Sequence, residues 1–155
     1  MTELKKMKGG RILDVACGGG HSAVEVCREL KSWDHVTGVD LRGKLKKEFL
    51  SKFPDGKAEF IEGDVRDLLK SGKVFDTILL GFSLHHLPRA DELLSDLAGI
   101  TSENGQLIAL EMYNDDLTPA QDIQKRVHEL AGQLDRIRGE SVSYTHLTLP
   151  TKRIV

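Results

Sequence analysis

The chain has 155 residues, the size of one domain, and its 22 basic and 24 acidic residues leave no charged field that would favour nonspecific binding to nucleic acid. No apolar run approaches the roughly 18 residues that a membrane-spanning helix needs, and we expect no signal peptide because the first residues are polar. The two cysteines, Cys17 and Cys27, cannot build a disulfide framework, which predicts a reduced, cytoplasmic protein.

An apolar run, three consecutive glycines and a helical pattern follow one another between Ile12 and Ala23. This order predicts a buried strand from about Arg11 to Ala16, a tight turn at Gly18 to Gly20, and a helix from His21 to Lys31. Free N–H groups at the start of such a helix point into the turn, which is typical of a nucleotide-binding loop.

The rest of the chain continues to alternate between strands and helices. Further strands are predicted at residues 35–40, 57–64, 74–82 and 106–113. Further helices are predicted at residues 44–52 and 66–70, around Leu93 to Ala98, and from Pro119 to about Arg138. Asn104-Gly105 is expected to form the turn before the fifth strand.

This alternation predicts an α/β fold: a Rossmann-like, doubly wound, mostly parallel sheet in a three-layer α/β/α arrangement. Such sheets bind ligands at the carboxyl ends of their strands, where the strand order reverses. Glycine and polar residues fall at those ends, namely at Ala16 to Gly20, Asp40, Asp64, Gly81 to His86, and Glu111 to Asn114.

The last residues do not continue the pattern. Val142 to Thr151 resembles a translated sequencing adapter, so we expect one domain at residues 1–141, without the last strands of the full fold, and a non-native tail at residues 142–155. The alternative is a genuine terminal strand from Tyr144 to Leu149, which alternates apolar and polar residues.

Four segments together resemble the class I S-adenosylmethionine-dependent methyltransferases of the small-molecule type: ILDVACGGGHSA, GVDL, EGDV and FDTILLGFSLHHL. The resemblance covers residues 10 to about 115 and departs from the family pattern at Ala16, where a glycine often stands. It implies S-adenosylmethionine as cofactor and in-line transfer of a methyl group to a small-molecule acceptor. Because the sulfonium is already an activated leaving group, the reaction depends on positioning and needs no catalytic triad.

The resemblance also implies roles for individual residues. Asp14 would support the glycine loop and the methionine end of the cofactor, Asp40 would accept hydrogen bonds from both ribose hydroxyls, and Asp64 would accept one from the adenine amino group. The alternatives are a loop cap for Asp14 and helix caps for the other two. The expected cofactor-binding residues are Asp14, Ala16, Cys17, Gly18, Gly20, Asp40, Leu41, Asp64, Val65, Gly81 and Phe82.

His85 and His86 are the candidate catalytic residues, because an imidazole titrates near neutral pH and could take a proton from an acceptor. The alternative is that one of them caps the next helix or packs beneath the loop. Cys17 and Cys27 are expected to pack as small core side chains, and no metal site is expected.

Two other functions stay open. Gly18, Gly20 and Ala23 also fit the G-x-G-x-x-A pattern of an NAD(P)-binding oxidoreductase domain, with Asp40 near the expected acidic position. The chain could instead be a cofactor-binding fragment without activity. Expected partners are a small-molecule acceptor, with no nucleic acid and no membrane, in a monomer or a homodimer.

Overall fold

The computed structural model describes residues 3–84 and 87–111, together with Pro119, Ile123 and Arg126. Its strands are β1 (Arg11–Val15), β2 (His35–Asp40), β3 (Ala58–Glu62), β4 (Phe75–Gly81) and β5 (Thr101–Leu110). Its helices are α1 (His21–Glu29), α2 (Lys46–Leu50), α3 (Val65–Leu69) and α4 (Ala90–Gly99), with 3-10 turns at Glu3–Lys6 and Gly43–Leu45. The elements therefore follow the predicted order.

The five strands form one parallel sheet with the order β3-β2-β1-β4-β5. β1 lies at the centre, where Asp14 is aligned with Gly38 of β2 on one side and with Leu79 of β4 on the other. The chain first winds outward from β1 to β3 and then returns to start β4 on the other side. The strand order thus reverses between β1 and β4, which is where doubly wound sheets bind ligands.

Both faces of the sheet are covered by helices, which confirms the predicted three-layer arrangement. One core contains Leu13 and Ile78 of the sheet together with Leu93 and Leu97 of α4. The opposite core contains Ile12 and Val36 of the sheet with residues of α1 and α2, namely Ala23, Val26, Cys27 and Phe49. Parallel strands need this double cover because their side chains are apolar on both faces.

The fifth strand differs from the prediction. It begins at Thr101, which pairs with Phe75, and resumes at Gln106, which pairs with Thr77. Four residues of β5 are therefore accommodated opposite Asp76 in an irregular bulge, and the Asn104-Gly105 turn lies inside the strand. The prediction that this turn precedes the strand was wrong, because β4 supplies pairing partners on both sides of it.

Several predictions fall outside the described residues. They are most of the helix from Pro119 to Arg138, the His85-His86 pair, and the tail at residues 142–155. In the part of the chain that the structure describes, no helix is long and apolar enough to cross a membrane.

Candidate functional site

The candidate site lies at the carboxyl ends of β1, β2 and β4, on both sides of the strand-order reversal. Three segments meet there: the glycine turn after β1, Asp40 at the end of β2, and the loop that follows Gly81 at the end of β4. The sequence predicted that these segments share one edge, because parallel strands place their carboxyl ends together.

The glycine turn depends on backbone conformations that glycine tolerates best. Gly18 and Gly20 have φ values of 54° and 82°, in the left-handed region. The turn is fixed by hydrogen bonds from the Cys17 N–H to the Val39 carbonyl (3.1 Å) and from the Gly20 N–H to the Cys17 carbonyl (2.9 Å). The turn is therefore attached to β2, the strand that carries Asp40.

The helix α2 supports the same turn from outside. The ammonium group of Lys52 donates to the Gly19 carbonyl (2.7 Å) and to the carboxylate of Glu48 (2.8 Å). The same carboxylate lies 3.2 Å from Nε2 of His21, at the start of α1. These three side chains hold the turn between α1 and α2, a role that the sequence analysis missed.

Two residues other than glycine also adopt left-handed backbone at this edge. Ala16 and Phe82 both have φ 53°. Such conformations are sparsely populated for residues with a Cβ, and they tend to occur at functional sites. Ala16 thus adopts the conformation that glycine favours, at the position where the resemblance expects glycine.

Asp40 is the most heavily hydrogen-bonded side chain of the site. Its carboxylate is 5% exposed and accepts bonds from the backbone N–H groups of Gly18 (2.8 Å) and Arg42 (2.9 Å). The Arg42 guanidinium adds bonds of 3.1 Å from Nε and 3.4 Å from the Nη2 group. Burial alone would raise the pKa of Asp40, but the bonds from Arg42 and Gly18 outweigh burial and lower it, so the group is ionised at neutral pH.

Asp14 has the opposite electrostatics. Its side chain is 1% exposed, and its Oδ2 atom has no hydrogen-bond partner among the described residues. Burial, reinforced by the negative charge of Asp40, raises the pKa of Asp14 to about 8. Asp14 is the fourth of the five residues of β1, one position before the strand ends.

Asp64 acts as the cap of α3. Its Oδ1 atom accepts from the Arg66 N–H (2.9 Å), and the Arg66 guanidinium lies 3.7 Å away. This is the capping role that the sequence analysis gave as the alternative to adenine binding. One oxygen of a half-exposed carboxylate is used in this way, so the geometry is compatible with both roles.

Two exposed apolar side chains directly follow strands β2 and β4. Leu41, directly after Asp40, is 73% exposed, and Phe82 is 49% exposed. Single exposed apolar side chains are common on protein surfaces, so it is their place after these strands that makes Leu41 and Phe82 candidates for ligand contact. Val65 differs, because its side chain is buried in the core and only its backbone could face a ligand.

The two cysteines are buried and unpaired. Burial and then the charge of Asp14 raise the pKa of both thiols, so neither is a thiolate at neutral pH. This agrees with the predicted packing role. Among the residues described, no histidine, cysteine and acidic side chains form a group that could hold a metal ion.

The end of β4 and the described start of the loop after it make close contacts with β1, with α1 and with the residue that follows β5. A Cβ atom on Gly81 would lie 2.3 Å from the side chain of Ser22, in the first turn of α1. Ser83 donates to the Val15 carbonyl (3.1 Å), and the Leu84 N–H donates to Glu111 (2.7 Å). Glu111 therefore supports the loop. His85 and His86, which follow Leu84, lie outside the described residues, as do Tyr113 and Asn114.

Sequence reasoning missed Arg42. The only available signal was a basic residue two positions after the acidic end of a strand, a spacing that can bring the two side chains together. Nothing in the sequence showed that its guanidinium would bond to both carboxylate oxygens of Asp40.

Several known proteins that this chain resembles are methyltransferases. A family model described as a methyltransferase domain matches residues 12–105. A demethylmenaquinone methyltransferase of Porphyromonas gingivalis is 30% identical over 105 residues, covering 65% of this chain and 43% of that protein. The enzyme of the same name from Bacteroides fragilis is 31% identical over 124 residues, covering 75% and 49%.

The chain therefore spans about half the length of the curated relatives it matches. Among solved structures, the plantazolicin methyltransferase BpumL, in complex with a monoazolic desmethylPZN analog and SAH, is 19% identical. The superposed region covers 84% of this chain and 57% of the BpumL chain, with a TM-score of 0.58. At this identity the likeness supports the fold.

Proposed function

The chain belongs to the methyltransferase-domain family, and from this premise we propose that it binds S-adenosylmethionine and transfers a methyl group to a small-molecule acceptor. The observation that carries the proposal is the juxtaposition of an ionised, buried Asp40 with the left-handed glycine turn. A carboxylate has two oxygens, so it can accept one hydrogen bond from each hydroxyl of a ribose.

The residues present fit the cofactor. Asp40 would hold the ribose, Gly18 and Gly20 would let the amino-acid part lie against the backbone, and the exposed Leu41 side chain would cover the base. The unpaired Oδ2 atom of Asp14 also supports a ligand here, because a buried polar atom without a partner is costly unless a ligand or a water supplies one. A positive charge bound near Asp14 would favour its ionised form.

The chemistry that S-adenosylmethionine supplies when bound is a methyl group on a sulfonium, which is already activated. The residues of this chain have to orient the two reactants and exclude water. The Ser83 and Glu111 hydrogen bonds hold residues 83 and 84, at the start of the loop after β4, and Phe82 adds apolar surface there. A loop held in this way serves positioning.

The remaining roles are proposed from the family resemblance. Asp64 would accept from the adenine amino group with its free oxygen while it caps α3, and the Val65 N–H would donate to a ring nitrogen. His85 or His86 would orient the acceptor or take its proton. Ala16, Cys17, Gly81 and Phe82 would line the cofactor along the edge of the sheet.

We further propose a small-molecule acceptor. The similar proteins from P. gingivalis and B. fragilis are named demethylmenaquinone methyltransferases, which makes demethylmenaquinone the first acceptor to test. The two free thiols support the predicted cytoplasmic location. The domain boundary near residue 141, the non-native tail, and a monomer or homodimer stay predictions.

The experiment measures release of S-adenosylhomocysteine from S-adenosylmethionine by the 155-residue chain, with and without each acceptor of a small-molecule panel. Acceptor-dependent release that His86→Ala or His85→Ala reduces supports both the reaction and the proposed base. Cofactor binding without release for any acceptor favours a cofactor-binding fragment. Binding of NAD in place of S-adenosylmethionine would overturn the proposal.

A further inference from the structure

The position of Arg42 has a consequence for how a ribose could bind. A carboxylate offers about four acceptor positions, two on each oxygen. In Asp40, Oδ1 accepts from the Arg42 N–H and from Arg42 Nε, whereas Oδ2 accepts from the Gly18 N–H and from the Arg42 Nη2 group. All four positions are therefore in use.

The four bonds fall into two kinds. Two of them come from backbone N–H groups, which are fixed by the end of β2 and by the glycine turn. The other two, at 3.1 and 3.4 Å, come from the guanidinium of Arg42, a side chain that is 63% exposed and free to rotate into solvent. A ligand can therefore donate hydrogen bonds to both oxygens of Asp40 only by replacing this guanidinium.

The guanidinium also reaches over the glycine turn. A Cβ atom built on Gly18 would have one neighbour within 4 Å, the Arg42 Nη2 group at 3.7 Å. Arg42 thus covers two parts of the proposed site, the carboxylate and the backbone that a cofactor would approach. The guanidinium donates one hydrogen bond to each oxygen of Asp40. The two hydroxyls of a ribose diol would donate to the same two oxygens.

Resting on the proposed function, we propose that the Arg42 guanidinium competes with the cofactor's ribose for the carboxylate of Asp40. Its guanidinium occupies the two acceptor positions that the diol needs, and a ribose binds by taking over those positions. A second carboxylate lies near the guanidinium that the ribose displaces from Asp40. It belongs to Glu62, whose side chain lies against Gly43, the residue after Arg42.

The proposal predicts the sign of an effect on affinity. Arg42→Gln removes a competitor from Asp40, so S-adenosylhomocysteine should bind two- to fivefold more tightly at low salt, in the range expected for an exposed ion pair. Raising the salt concentration should shrink the difference, since screening weakens the Arg42–Asp40 pair of the wild type. Arg42→Lys should fall between the two, because an ammonium group cannot bond in a bidentate fork.

The experiment is calorimetric titration of S-adenosylhomocysteine into the wild type and these variants. Arg28→Gln is the matched control, because it removes an equal charge from an exposed residue of α1. Adenosine and 2′,3′-dideoxyadenosine are then titrated and followed by NMR. Arg42→Gln should tighten adenosine binding and leave the affinity for the dideoxy compound unchanged, because a sugar without the 2′ and 3′ hydroxyls cannot replace the guanidinium.

Each outcome separates the two proposals. Equal or weaker binding of S-adenosylhomocysteine to Arg42→Gln would overturn this role of Arg42 while leaving the proposed function intact. The same gain in affinity for the dideoxy compound would also overturn it, because the effect would not involve the diol. If the wild type binds neither S-adenosylhomocysteine nor adenosine, the proposed function fails, and this inference fails with it.

Discussion

At the scale of single residues, two buried carboxylates of one sheet edge have opposite protonation. Asp40 keeps its charge because the bonds from Arg42 and Gly18 outweigh the cost of burial, and its pKa is lowered. Asp14 has no such partner on Oδ2, and burial raises its pKa to about 8. Sequence patterns predicted Asp40 at this edge, and the resemblance placed Asp14 beside the glycine loop. They could not predict the protonation, which depends on side-chain contacts such as that of Arg42.

The raised pKa of Asp14 predicts that stability falls as the pH rises. The unfolded chain releases this proton near the ordinary pKa of 3.8, whereas the folded chain keeps it up to about pH 8. Between these values the folded state binds more protons, so each pH unit should lower the free energy of unfolding by at most about 1.4 kcal/mol. Asp14→Asn, which is always neutral, should remove this slope.

Urea unfolding of the wild type and Asp14→Asn at several pH values from 5 to 8 measures the effect. Asp55→Asn, in an exposed turn, is the control and should keep the slope of the wild type. Parallel pH profiles for the wild type and Asp14→Asn would contradict the raised pKa.

The left-handed conformation of Ala16 predicts that glycine at this position stabilises the fold. An alanine in this region costs roughly 1–2 kcal/mol, and glycine avoids that cost while losing about 0.4–1 kcal/mol to its more flexible unfolded state. Ala16→Gly should therefore raise the free energy of unfolding by about 0.8 kcal/mol. Ala98→Gly, in the helix α4, should instead lower it by about 1 kcal/mol. Thermal unfolding that shows a loss of stability in both variants would argue against strain at Ala16.

At the scale of elements, the site is defined by how closely α1 approaches the end of β4. The first turn of α1 places Ser22 where a Cβ atom of residue 81 would lie. The order of strands and helices was readable from apolar periodicity and from glycine positions. The bulge in β5 was not, because it depends on which residues of β4 pair with each half of that strand.

Gly81→Ala should destabilise the protein by about 1–3 kcal/mol, the usual cost of overpacking, because its Cβ overlaps the Ser22 side chain. Ser22→Gly in the same molecule should recover part of this loss, although the glycine itself weakens α1 by roughly 0.5 kcal/mol. Thermal unfolding of the two single variants and the double variant gives the coupling. Strictly additive effects would show that the two positions are not in contact.

At the scale of the whole molecule, the fold brings residues from distant parts of the sequence to one edge. Residues of the glycine turn, Asp40 and the loop after β4 meet because every strand of the sheet runs in the same direction. That rule is what predicts from sequence where a ligand would bind, whereas the three-layer fold followed from the alternation of strands and helices, and the family from four motifs. The acceptor pocket was not predictable in the same way, because acceptor specificity follows from side chains around the transferred methyl group rather than from strand order.

The central claim is that Asp40 and the glycine turn bind S-adenosylmethionine, and the most direct measurement is the melting temperature of the chain with added ligand. S-adenosylhomocysteine at about a hundredfold excess over its Kd should stabilise the wild type by roughly 2.7 kcal/mol and raise the melting temperature by several degrees. NAD should have no effect, and Asp40→Asn should lose the response to S-adenosylhomocysteine. A melting temperature raised by NAD alone, or an undiminished response in Asp40→Asn, would contradict the account.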